Sequence, residues 1–151
     1  MLYFIIVVLL VLADFFTKRA AVHFLMNGNS KEIIRGLLRF SYVENTGAAF
    51  GIMKDMRWFF ILVTLIILVA LIVWLEKSFF KSNFMKAGIL LVVAGALGNL
   101  IDRVRLGYVI DFIDFYVINF PVFNVADCFI CVGAAILCIH YLFFEKDKSN
   151  E

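Results

Sequence analysis

The segment GYVIDFIDFYVINFPVFNVADC, Gly107–Cys128, carries three carboxylates, Asp111, Asp114 and Asp127, in a run that is otherwise almost wholly apolar. Two carboxylates brought close in a partly dry site cannot both ionise, so they share a proton and one of them titrates late. Such a pair activates water as a general base and then protonates a leaving amine as a general acid. Asp111 and Asp127 are the candidates for that dyad, which is the chemistry of an aspartic protease. A structural reading competes with it. Asn124 stands where a helix N-cap is expected and Asp127 at the third helical position, so the two can form a capping box with Asp in place of Glu.

A second polar group lies in AGALGNLIDRV, Ala94–Val104. Gly95, Asn99, Asp102 and Arg103 recur at the spacing of one helix face. The small residues around them let another helix approach closely, but packing explains the glycines better than it explains an amide beside two charges. Asp102, next to Arg103, is read as pairing locally behind the dyad, and Asp114 as facing solvent. Asp14 and Lys18 form a third group at i,i+4 spacing. They can pair on one face, either as a structural ion pair or as part of the chemistry.

Other chemistries fit less well. The chain has no H-E-x-x-H, G-x-S-x-G or G-x-G-x-x-G motif, and His23 and His140 are isolated from each other. Cys128, Cys131 and Cys138 share the last apolar run; a C-x-x-C without further ligands reads as small core residues rather than a metal centre. Neither a metal nor another cofactor is expected.

These groups must be positioned by helices in a membrane. Of the 151 residues, 64% are hydrophobic and eighteen are Phe, the mean hydropathy is +1.00, and soluble domains are usually about 45–50% apolar. A net charge of +2 without a basic cluster argues against nucleic acid as a partner. A spanning helix needs about 20 apolar residues. Four segments qualify, at about 2–23, 58–75, 84–103 and 124–144, within a single membrane-embedded domain. The first is read as a retained span, because no basic region precedes it and no small-x-small cleavage site follows it. Trp58 and Trp74 flank the second as an aromatic belt would.

Four spans place both termini and the loop EKSFFKSNFMK on one side, and the larger pieces 24–57 and 105–123 on the other. Lysine and arginine counts of five against six leave the orientation undecided. Within 24–57, alternation around Ile33–Tyr42 predicts short strands and Asn45-Thr46-Gly47 a turn, whereas Asp111 and Asp114 are read as lying in an apolar loop.

Four blocks in order, DFFTK, ENTGAAFG, AGALGNLIDR and VIDFIDF with FPVFNVAD, resemble the lipoprotein signal peptidase (signal peptidase II) family of bacterial membrane aspartic proteases. The resemblance implies an all-α membrane fold of four transmembrane helices with a small extracytoplasmic β-cradle, formed by 24–57, and an interfacial helix. It implies the bacterial cytoplasmic membrane, with both termini cytoplasmic and the active site near the outer face. The catalytic residues would be Asp111 and Asp127. Asn45, Gly95, Asn99, Arg103 and Asn124 would line the substrate site, supported by Asp14 and Lys18. The implied substrates are diacylglyceryl-modified prolipoproteins, cut on the amino side of the lipidated cysteine. Membrane lipid and globomycin-type inhibitors would be partners, and the protein a monomer. Where the family often has small hydroxyl residues after the second aspartate, Cys128 and Phe129 follow here. Two alternatives draw on the same residues: a small proton-linked carrier, with Asp14, Asp102 and Asp127 as a relay, or a structural membrane subunit in which Asp111 is dispensable.

Overall fold

The computed structural model describes residues 1–48, 52–76, 82–118 and 120–144. Most of the loop after the second helix and the lysine-bearing tail therefore lie outside the described residues, as do Ala49–Gly51. The order is α1 (Leu2–Leu25), β1 (Ser30–Ile34), β2 (Leu38–Asn45), α2 (Arg57–Glu76), α3 (Asn83–Arg105), β3 (Val109–Asp114) and α4 (Val125–Phe144). A 3₁₀ turn at Tyr116–Ile118 lies between β3 and α4.

Among the described residues, three helices are long and apolar enough to cross a membrane, within Arg57–Trp74, Asn83–Arg105 and Val125–Phe143. α1 is 24 residues long, about 36 Å at 1.5 Å per residue, but Asp14, Lys18 and Arg19 give it more charge than such a span ordinarily has. The helices show apolar side chains outward: Phe4, Leu9 and Phe16 on α1, Leu62 and Ile66 on α2, Leu142 and Phe143 on α4. That exterior is stable against hydrocarbon rather than water.

α3 is the central helix. Its Ile89, Val93, Ala96 and Leu100 pack on Ile61 and Leu68 of α2. Its small residues meet α4: a Cβ on Gly95 would overlap the Ala126 carbonyl, and one on Gly133 would lie 2.6 Å from the Gly88 carbonyl. α3 ends when Gly107, at φ +92°, takes the left-handed turn that feeds β3.

β1, β2 and β3 form one antiparallel sheet in that order. The stretch containing Asp111 and Asp114 is therefore a strand and not a loop, and the cradle of 24–57 takes its third strand from beyond α3. Val43 of β2 faces Asp111, and Arg39 faces Asp114. Phe112 packs with Ala21 and Leu25, seating the sheet on the end of α1. Residues 52–55 form turns and no helix.

Candidate active site

β3 and α4 bring Asp111 and Asp127 to the wall of one cavity of about 860 Å³. Asn45, Asn99 and Arg103 line it as well, and Phe115, Ile118, Phe120 and Val132 make much of its apolar remainder. Asn124 lies beneath, fully buried, and joins the two carboxylates.

Each carboxylate oxygen receives one neutral donor. Asp111 Oδ1 accepts from Asn124 Nδ2 at 2.7 Å, and Oδ2 from Asn45 Nδ2 at 2.9 Å. Asp127 Oδ1 accepts from Asn99 Nδ2 at 2.7 Å, and Oδ2 from the Asn124 backbone N–H at 3.1 Å. Asn124 Oδ1 in turn accepts from the Asp127 N–H at 2.9 Å, so the reciprocal cap of α4 is present alongside the second carboxylate contact. One helix start thereby serves as both cap and site. Asn45 closes its own turn, Oδ1 accepting from the Gly47 N–H at 3.0 Å, and this aims its amide at Asp111.

Burial, and then the charge of Asp127, push Asp111 up to about 7. Asp127 is only half-buried and stands in the first turn of α4, where the helix dipole favours an anion.

Asp14 and Lys18 act one step away. Lys18 Nζ lies 2.9 Å from Asp14 Oδ2 and 2.8 Å from Asp102 Oδ2, and donates to Asn99 Oδ1 at 3.0 Å. Asp14 Oδ1 accepts the Ala126 N–H at 2.9 Å, satisfying a free donor at the start of α4. Gly98 permits that approach, since a Cβ there would sit 2.5 Å from Asp14 Oδ2. Gly95 is at the α3–α4 crossing rather than among the residues lining the cavity.

Some expectations need correction. Asp102 does not pair with its neighbour Arg103; besides Lys18 it accepts the Ile110 N–H at 3.3 Å, tying β3 to α3. Asp114 does not face solvent. It is 6% exposed and receives Arg39 Nε at 2.7 Å and Ser41 Oγ at 3.3 Å. The Arg39 guanidinium stacks over Tyr116, whose hydroxyl donates to Glu32, so this cluster fastens the 3₁₀ turn beside the cavity to the sheet. The only sequence signal for it is the in-register pairing of Arg39 with Asp114, visible once β3 is known. Cys131 is exposed and not a core residue, and with Cys128 it lines the cavity. Arg103 donates Nη2 to the Gly47 carbonyl at 3.3 Å and stacks on Phe60.

The sequence matches the family described as signal peptidase (SPase) II over residues 6–143. It is 44% identical to a lipoprotein signal peptidase of Clostridioides difficile, covering 97% of this chain and 98% of that one. A lipoprotein signal peptidase of Enterococcus faecalis is 42% identical, over 95% of this chain and 89% of the relative. Two solved structures, each described as a bacterial membrane enzyme, superpose with TM-scores of 0.88 and 0.84 at 39% and 38% identity. They cover 99% and 94% of this chain and 90% and 93% of theirs.

Proposed function

The chain belongs to the signal peptidase II family, and from that premise we propose that it is a membrane aspartic endopeptidase that removes signal peptides from prolipoproteins. Asp111 and Asp127 are its catalytic pair, and it cuts on the amino side of the diacylglyceryl-modified cysteine. The carrying observation is that both carboxylates line one largely apolar cavity while all four of their oxygens are held by neutral N–H donors. The Asn45 and Asn124 donors fix the geometry and favour the ionised form of Asp111, but burial and the charge of Asp127 outweigh them, so one proton can stay on the pair at neutral pH.

In the reaction, ionised Asp127 takes a proton from a water between the carboxyls, and protonated Asp111 hydrogen-bonds the scissile carbonyl as the oxygen gains charge. The proton then passes to the leaving amine. Asn45, Asn99, Arg103 and Asn124 position the peptide or the dyad, Gly95 sets the α3–α4 distance, and Asp14 with Lys18 supports the start of α4. α1 is the fourth span, its Asp14 and Lys18 directed inward, with both termini cytoplasmic and the sheet and turns at the outer interface of the cytoplasmic membrane. Exposed Val132 on α4 also lines the cavity, which supports lateral entry of a lipid-modified helix as a monomer's substrate. Globomycin-type inhibitors would occupy the same space.

The test is cleavage of a lipid-modified prolipoprotein in detergent by wild type, Asp111→Asn and Asp127→Asn, with folding followed by helical content. Cleavage before the lipidated cysteine by wild type alone supports the assignment. Full activity in either variant removes that residue from the pair, and an inert wild type returns the carrier and subunit readings.

A further inference from the structure

A second concave site lies behind the Lys18–Asp102 pair. The C-terminal parts of α1 and α3, roofed by Tyr42, Tyr108 and Ile110 of the sheet region, enclose a groove of about 140 Å³. Arg19 and Arg105 reach it from the two helices, and both are exposed. Among the described residues, Arg19 has no ion pair or hydrogen bond, and Arg105 has only a stacking contact over Phe15 at 5.9 Å. That contact uses none of the guanidinium N–H groups, which stay available to an anion.

The neighbouring groups sharpen the chemistry. Lys18 lends positive charge, but its three donors are committed to Asp14, Asp102 and Asn99. The Tyr42 hydroxyl gives its proton to Glu44 at 2.9 Å. The Tyr108 hydroxyl, 3.5 Å from the Tyr42 oxygen, then gives its own proton to Tyr42, which leaves the two guanidinium groups as the donors open to the groove. Against Lys18, Arg19 and Arg105 the lining offers one acid, Asp102. Two guanidinium forks facing one space suit a tetrahedral oxyanion. Phe15 and Val22 continue the same lining on α1, an apolar surface for acyl chains.

We propose that this groove binds the phosphate of an anionic phospholipid, with Arg19 and Arg105 as a two-helix clamp. One lipid then bridges α1 and α3 at the headgroup level, beside the Lys18 junction and separate from the dyad's cavity. The proposal rests on the membrane location and not on the peptidase reading.

Native mass spectrometry of the protein released from bilayers of equal phosphatidylglycerol and phosphatidylcholine tests it. Wild type should retain one phosphatidylglycerol, and Arg19→Gln/Arg105→Gln should lose it by roughly tenfold or more. Should the double variant lose its helical signal, Arg19→Lys/Arg105→Lys replaces it and should retain the lipid at an intermediate level, having charge without the fork. Equal retention of both lipids overturns the proposal, as does an unchanged adduct in the variants. Displacement of the adduct by millimolar inorganic phosphate assigns the groove to a soluble anion and overturns the lipid as its ligand.

Discussion

Asp111→Asn should change how stability depends on pH, apart from any effect on catalysis. Burial first, and the charge of Asp127 second, move Asp111 from the ordinary 3.8 to about 7 in the folded protein. Below 3.8 the carboxyl is protonated in both the folded and unfolded chain and costs nothing. As pH rises through the interval from 3.8 to about 7 the unfolded chain ionises and the folded one does not, so wild-type stability is lost progressively. Above 7 the loss is complete and constant, on the order of 4 kcal/mol. Between pH 5 and pH 8 wild type should therefore lose roughly 3 kcal/mol relative to Asp111→Asn.

The absolute stability of the variant matters less than this difference in slope. Asn45 and Asn124 both aim N–H donors at Asp111, so the amide that replaces its carboxyl turns one of its own N–H groups toward a donor. That mismatch costs about 1–3 kcal/mol at every pH and cancels from the comparison. Thermal unfolding in detergent at pH 5 and pH 8, both proteins side by side, reads the effect. Asp127→Asn, which removes the second cause and leaves burial, should show a shallower slope than wild type. Parallel pH dependence in wild type and Asp111→Asn would refute the late-titrating carboxyl and with it the shared proton.

The surrounding network is open to similar tests. Gly98→Ala drives a Cβ into Asp14 Oδ2 and should lower stability by about 1–3 kcal/mol and cleavage severalfold; a variant as stable and active as wild type would show that Asp14 does not hold the start of α4. Lys18→Met leaves buried Asp14 and Asp102 without their cation, a loss of about 3–5 kcal/mol that an added Asp102→Asn should partly restore in an unfolding assay. A small thiol reagent should label Cys128 or Cys131 and inhibit cleavage, while Cys128→Ser/Cys131→Ser stays active after treatment. Full activity in labelled wild type would mean that neither thiol narrows the substrate path.

The polar groups can be picked out in the sequence because ionisable residues in apolar runs are rare and rarely idle. Their partners cannot. Lys18 and Asn99 stand 81 positions apart, and no local spacing announces that contact. The strands around Ile33–Tyr42 show themselves through alternation and a following turn, whereas β3 does not: both of its faces are buried, so VIDFID reads as a continuous apolar run interrupted by acids. The misreading of Asp114 follows directly. With no strand there is no register opposite Arg39, and an acid in a supposed loop is taken for a solvated one. Asp102 falls to its sequence neighbour for the same reason, although adjacent residues on a helix point in different directions.

The placement of Lys18 shows why so much amide chemistry surrounds the carboxylates. A cation in direct contact with either member of the pair would favour its ionised form and hold it well below the usual carboxylate range. The proton that the proposed mechanism places on the pair would then be lost at neutral pH. In this fold the ammonium sits against Asp14 and Asp102, which balance it, and reaches Asp127 only through Asn99, which accepts from Lys18 with one end and donates to the carboxylate with the other. Asn124 repeats the device between the aspartates, donating to Asp111 through its side chain and to Asp127 through its backbone. The Lys18 charge that ties α1 to α3 is thus kept one hydrogen bond away from Asp127, which the proposed mechanism needs free to exchange a proton.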